Sequence, residues 1–238
     1  MESFRRIVIM AEMHGRDLTR RHAALGLLVA LPLCFYLASV GSGDKAIVNG
    51  GVGLAFAVSG ATLFSILSSS EVDQRLVLGG YRPHELLFGR LAFLGPLGLV
   101  IAAGFSALMS VASEPARPWL TFVGVAAVAL LSIPFGLAVG AAVPRELEGT
   151  LVLIGVVGMQ LALDPDSVVS RLLPFHGPQQ LITSSLSTDG PIARPLLETV
   201  LYAVILFVLA RLLVSRRVEV IRHARSRDPG AGRPPLHR

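Results

Sequence analysis

Six long apolar stretches dominate the 238-residue chain and restrict its folds more than any other feature. They run Ala23–Val40, Ala46–Ser70, Leu91–Ala112, Trp119–Val143, Leu151–Leu163 and Leu196–Val214. A helix needs about 20 mostly apolar residues to cross a hydrocarbon layer roughly 30 Å thick, where intrahelical bonding satisfies the backbone. Five stretches meet or approach that length. Leu151–Leu163 covers only about 20 Å at 1.5 Å per residue, so its helix must start earlier, near Pro144–Gly149, or dip without crossing. The fold class predicted is an all-α polytopic membrane protein with six transmembrane helices.

Hydrophobic residues make up 53% of the chain without counting its 24 glycines. Soluble domains reach about 45–50% with glycine included. A mass of 25.2 kDa leaves no room for a large soluble domain beside six spans. The arrangement predicted is one membrane domain, 23–214, with a short N-terminal segment, 1–22, and a tail, 215–238.

The positive residues orient this domain. With the N-terminus inside, 17 of the 21 Lys and Arg residues fall on cytoplasmic segments. Lys45, Arg117, Arg171 and Arg194 lie outside. Such a bias is expected when positive residues are retained on the cytoplasmic side. An even number of crossings then puts both termini in the cytoplasm, with the plasma membrane as location. The net charge of +5 reports this topology and no nucleic-acid partner, since the basic residues do not share one soluble face.

Segment 1–22 has an organised face: Phe4, Ile7, Val8, Ala11 and Leu18 follow helical spacing, while Arg5, Arg6, Glu12, Arg16, Arg20 and Arg21 are polar. The pattern predicts an amphipathic helix lying in the headgroup plane; the alternative is an arginine-rich topogenic tail. Cys34 is the only cysteine, so no intrachain disulfide exists. The tail from Arg225 is rich in Pro, Gly and Arg and is expected to be largely disordered.

Between the second and third stretches lies a charged segment, 71–90. A short helix fits Glu71–Leu78, Gly79-Gly80 breaks it, and Pro83 suits the first turn of a helix entering the third span. Its length and mixed charge suit either docking of a soluble partner or a plain capping loop.

The chain resembles the membrane subunits of ABC-2 type exporters, the permeases that work with ATP-binding cassette subunits. The resemblance rests on the amphipathic N-terminal segment, six spans, and Glu71, Arg75, Gly80, Arg82, Glu85, Gly89 and Arg90 before span three. It also includes Glu146-Leu-Glu148-Gly149 before a glycine-rich fifth span and a proline-containing outer segment before the sixth. It implies that 71–90 couples to a separate nucleotide-binding ATPase subunit, with Glu71, Arg75, Arg82, Glu85 and Arg90 as coupling residues. It further implies a second permease subunit, identical or paralogous, and export as the direction. The outer segment 164–195 would hold short re-entrant or interfacial helices, which the apolar patterns of Val168–Leu173 and Gln179–Leu186 also suggest.

No phosphate cradle is present: a P-loop needs Gly-x-x-x-x-Gly-Lys-Ser/Thr, and the sole lysine, Lys45, sits in Gly43-Asp44-Lys45-Ala46. The chain is therefore not expected to be the ATPase or to hold a cofactor; ATP and Mg belong on the partner. Ser59, Thr62, Ser65 and Ser69 form a polar stripe that reads as translocation lining or as helix packing. Gln160 in span five needs a partner and is a further lining candidate. Gly136-x-x-x-Gly140 in span four reads as helix packing, and Pro32, Pro96 and Pro134 as kinks. The span interiors lack Asp, Glu, Lys and His, which argues against ion-coupled transport. The cargo expected is hydrophobic or amphiphilic: a drug, lipid or lipid-linked molecule. The rival class is an intramembrane lipid-modifying enzyme, suggested by Asp189-Gly190-x-x-Ala193-Arg194, but the further acidic residues of that signature are missing. The histidines lack metal-ligand spacing, and neither catalytic nor metal-binding residues are expected.

Overall fold

The computed structural model describes residues 2–20, 22–43, 45–143, 145–165 and 167–227. Among the described residues the secondary structure is entirely helical. Ten α-helices follow in order: α1 Glu2–Arg20, α2 His22–Ser39, α3 Lys45–Ser68, α4 Ser70–Leu78, α5 Pro83–Ser113, α6 Pro118–Ala142, α7 Glu146–Ala162, α8 Val168–Arg171, α9 His176–Ser184 and α10 Ala193–Arg227. Five of these are long and apolar enough to cross a membrane: Leu25–Ser42, Lys45–Ser68, His84–Ser113, Pro118–Ala142 and Ala193–Arg216. α7 begins at Glu146, earlier than its apolar run, yet its 17 residues reach only about 25 Å. The first part of the segment 215–238 continues α10 without interruption as far as Arg227; 228–238 lie outside the described residues.

α3 and α6 form the centre. Most of each is buried, whereas α2, α5 and α10 keep much of their apolar surface exposed. α3 packs against α2, α6 and α7; α6 packs against α3, α5, α9 and α10. This division follows from residue size. A side chain on Gly136 would strike the backbone carbonyl of Ser59 and the Thr62 side chain, and one on Gly140 would strike Ile66. The Gly136-x-x-x-Gly140 spacing therefore places two glycines on the α6 face that meets α3, as expected for close helix approach in lipid. Exposed leucines and valines on α10, such as Leu197, Leu201 and Val204, face outward instead.

The intramembrane prolines do not divide their helices. Pro32, Pro96 and Pro134 each lie inside one continuous helix. At the N-terminus, α1 runs along α5. Met10 of α1 is buried there, and a side chain on Gly89 would come within 2.6 Å of its Cβ. Val8, Ile9 and Met13 remain exposed on the other side of α1.

The α3–α6 contact predicts a contrast between two glycines. Gly136→Ala forces a methyl into backbone, for which overpacking costs about 1–3 kcal/mol. Gly155 of α7 has open space around its Cβ direction, so Gly155→Ala should be neutral. Thermal unfolding of the detergent-purified chain should show a lower midpoint for Gly136→Ala alone; equal midpoints would mean that α3 and α6 separate freely.

Candidate functional site

The charged segment between α3 and α5 is built as a corner. α4 follows α3 almost directly, then Gly79 and Gly80 turn the chain and Pro83 starts α5. Gly80 has φ +91°, in the left-handed region that L side chains rarely adopt. The turn closes by backbone bonds from Gly79 N to Arg75 O and from Tyr81 N to Leu76 O. Proline at the first turn of α5 fits because its missing N–H would have no intrahelical partner there.

Two charged residues hold this corner from inside. Arg90 is 1% exposed and donates to Asp73 Oδ2 at 2.6 Å and to the Ser69 hydroxyl. One guanidinium of α5 thus grips α4 and its junction with α3. The grip is single-pointed: Arg90 Nε and Asp73 Oδ1 are both buried without a hydrogen-bond partner. Glu85 is 3% exposed, and its Oε2 accepts the Arg82 backbone N–H at 2.9 Å, capping α5. The same oxygen lies 3.7 Å from Arg6 Nη1. Arg6 also donates to Gly80 O and stacks 5.2 Å above the Tyr81 ring, so α1 is tied to the turn as well.

The coupling candidates with described side chains fall on two sides of this corner. Glu85 and Arg90 are turned inward and hold the corner together. Arg75 and Arg82 are exposed, and with Gln74 and the half-exposed Val72 they form its outer surface. The side chain of Glu71 lies outside the described residues. Proline at N1 with glutamate at N3 was a readable sign that Glu85 caps a helix. Nothing local marks Asp73 as the partner of Arg90, seventeen residues away.

The four lining candidates do not share one surface. Ser59 and Thr62 are wholly buried, and their hydroxyls donate back to Ala55 O at 2.6 Å and Val58 O at 2.7 Å. They occupy the α3–α6 contact, so packing accounts for them. Ser65 is half-buried beside the exposed Phe64. Gln160 is 3% exposed at the far end of α7, where its amide nitrogen donates to Gln179 Oε1 at 2.9 Å and Ser170 Oγ at 3.2 Å.

Sequence spacing did not indicate what Gln160 joins. Ser170 Oγ lies 3.4 Å from His176 Nδ1, and His176 Nε2 lies 3.6 Å from Glu198 Oε2. Arg194 Nε completes the series, 3.0 Å from Glu198 Oε1. A polar chain therefore runs from buried Gln160 through α8 and α9 to the first turns of α10. Arg117 braces the same end, donating to the carbonyls of Ser184, Ser187 and Gly190. Asp189 is exposed, and Arg194 of the Asp-Gly-x-x-Ala-Arg fragment is paired with Glu198. Among the described residues no group of three His, Cys, Asp or Glu side chains is placed to hold a metal ion.

The Arg90–Asp73 pair predicts a characteristic order of stabilities. Removing one partner of a buried pair leaves an uncompensated charge and costs about 3–5 kcal/mol, whereas replacing both with apolar groups is often neutral. Asp73→Leu should lower the unfolding midpoint strongly, and Asp73→Leu/Arg90→Leu should recover most of the loss. A double variant as unstable as Asp73→Leu would show that the pair does not hold the corner.

Comparison with known proteins accords with this architecture. Residues 46–212, most of the chain, match the family model described as ABC-2 family transporter protein. No curated protein shows significant similarity. The match begins at the start of α3 and covers the corner, both central helices, the outer helices and the membrane part of α10. The chain belongs to the ABC-2 transporter family and is a membrane permease of an ABC transporter.

Proposed function

We propose that this chain is the membrane subunit of an ABC exporter whose corner α4–α5 receives the stroke of a separate ATPase subunit. The observation that carries this reading is the division of the corner into two sides. Its inner side is pinned to the spans by Arg90, Asp73, Ser69 and Glu85, while Val72, Gln74, Arg75 and Arg82 stay exposed. A force applied to the exposed side has a stiff route into α3 and α5. ATP and Mg belong to the partner, because this sequence lacks the glycine and lysine cradle that binds phosphates.

Six crossings with both termini in the cytoplasm agree with the arginine distribution, and α7 is the sixth. A 17-residue helix is accepted where flanking charge and local thinning offset its length. Glu146 and Glu148 at its start, and Asp164 beyond its end, supply polar flanks. α1 lies in the cytoplasmic headgroup plane with Val8, Ile9 and Met13 toward the acyl chains. The crevice between α3, α6 and α7 beside Gln160 has no room for a water-sized sphere, and we read the path as lying between this chain and a second subunit, identical or paralogous. The cargo class that suits such apolar walls is a hydrophobic or amphiphilic molecule, exported across the plasma membrane.

Two experiments test this. On a Cys34→Ala background, cysteines at Asp164 and Ser187 should react with an impermeant reagent from outside, and those at Gln74 and Glu146 only after permeabilisation. Labelling of Asp164 and Glu146 from one side would reduce the crossings to five. For coupling, Arg75→Glu and Arg82→Glu place like charge against a complementary partner surface, a change that costs up to several kcal/mol. Assembly with the ATPase or stimulated ATP turnover should fall for at least one variant, with Arg117→Lys as an outer-side comparison. Full assembly and stimulation in both variants would make the corner an ordinary loop.

A further inference from the structure

A cleft of about 140 Å³ opens at the outer end between α8, α9 and α10. Arg171, His176, Gln180, Arg194 and Glu198 line it, and three prolines complete the wall. A cavity needs only about 10–15 Å³ of such volume for one water, so this one admits a phosphate-sized group. Its walls are fixed. The Tyr202 hydroxyl donates to Arg171 O at 3.0 Å, tying α8 to α10, and buried His176 bridges Ser170 and Glu198.

Among the described residues that line the cleft, the charges do not cancel. Glu198 is matched by Arg194 at 3.0 Å. Among the described residues the Arg171 guanidinium has neither ion-pair nor hydrogen-bond partner. Asp164 is exposed beside Pro165 and is not part of the lining. An unmatched guanidinium presents a planar fork of donors that suits two oxygens of a phosphate. Gln180 adds a neutral donor. The carboxylate of Glu198 faces the same space, and Arg194 beside it limits its repulsion.

The surroundings say what should be attached to that anion. Val168 and Leu172 flank Arg171 and are 72% and 70% exposed; Leu197, one turn beyond Arg194, is 70% exposed. A polar cleft whose bordering helices bear exposed leucines and valines is suited to a molecule with a charged head and apolar chains. Such side chains place the cleft at the boundary of headgroups and acyl chains once the membrane orientation above is adopted.

We propose that this outer cleft binds a phosphate oxyanion, held by Arg171 while Arg194 offsets Glu198, as the head of an amphiphile whose chains lie along Val168, Leu172 and Leu197. The proposal rests on the export reading only for its membrane plane, and it narrows the cargo or lipid partner at this end to an anionic, phosphate-bearing class.

The full-length chain in phosphatidylcholine nanodiscs is titrated with dioctanoyl phosphatidic acid, and binding is followed by microscale thermophoresis. Arg171→Ala should weaken binding at least tenfold and Arg171→Lys less, while Lys45→Ala, which removes another outer cation, should stay within twofold. Uncharged dioctanoylglycerol should not compete. Displacement by inorganic phosphate would assign the site to phosphate oxyanions in general, and lack of displacement to the lipid headgroup with its chains; either supports the cleft as the site. Absence of binding to the parent chain, undiminished binding by Arg171→Ala, or equal competition by dioctanoylglycerol overturns it. No ATPase subunit is present in this assay, so its failure leaves the coupling reading intact, and a failure of coupling leaves this site intact.

Discussion

Gly136 and Gly140 let the α6 backbone lie against α3 at a separation that no side chain permits, and the remaining helices are arranged around that contact. In lipid there is no hydrophobic gain from bringing two apolar helices together, so close van der Waals packing must supply the attraction. Small residues make it available by letting backbones approach. The buried hydroxyls of Ser59 and Thr62 fit the same need, since each is satisfied within its own helix and asks nothing of its neighbour. With the central pair fixed, α9 can seat Ile182 against Gly124 of α6, and α7 can rest Gly149 on Leu63 of α3.

The two ends of this pair are finished in different ways. The end at the corner is secured by charge: one buried guanidinium, Arg90, reaches both Asp73 and Ser69, and Glu85 caps α5 while meeting Arg6. Such contacts are stiff, because a buried ion pair loses several kcal/mol if one partner leaves. The outer end is secured by a chain of polar side chains, Gln160, Gln179, Ser170, His176 and Glu198, at separations from 2.9 to 3.6 Å. A motion delivered to the corner would therefore move α3 and α5 together.

Much of this architecture was legible in the sequence because hydropathy and arginine placement are read one residue at a time. The apolar runs marked the helices, Gly79-Gly80 and Pro83 marked the corner, and the Gly136/Gly140 spacing marked a packing face. The membership in the ABC-2 family was legible from the order of these features. What could not be read were relations between distant residues. Glu85 and Arg90 looked like exposed docking charges because charge in a loop is usually solvated; only the approach of α1 and α4 to α5 buries them. Ser59 and Thr62 could be read as lining or as packing, because a polar stripe does not say whether its neighbour is water or Gly136. The outer cleft draws on residues from Pro165 to Glu198, brought together by the folding of α8 and α9 back onto α10.

That fold-back also explains why the outer end holds charge without placing it in the acyl layer. Arg117 stands just before α6 and spends its donors on three backbone carbonyls at the end of α9 and in the segment after it. Those carbonyls belong to the end of a helix and its turn, where no intrahelical donor is available. The arginine therefore satisfies groups that a lipid-facing turn could not leave open, while its own charge stays at the span boundary. Arg194 and Glu198 pair with each other one turn apart at the start of α10. Arg171 alone of the three outer arginines lacks such a local duty, and its place in a walled cleft makes an external anion the natural partner for its charge.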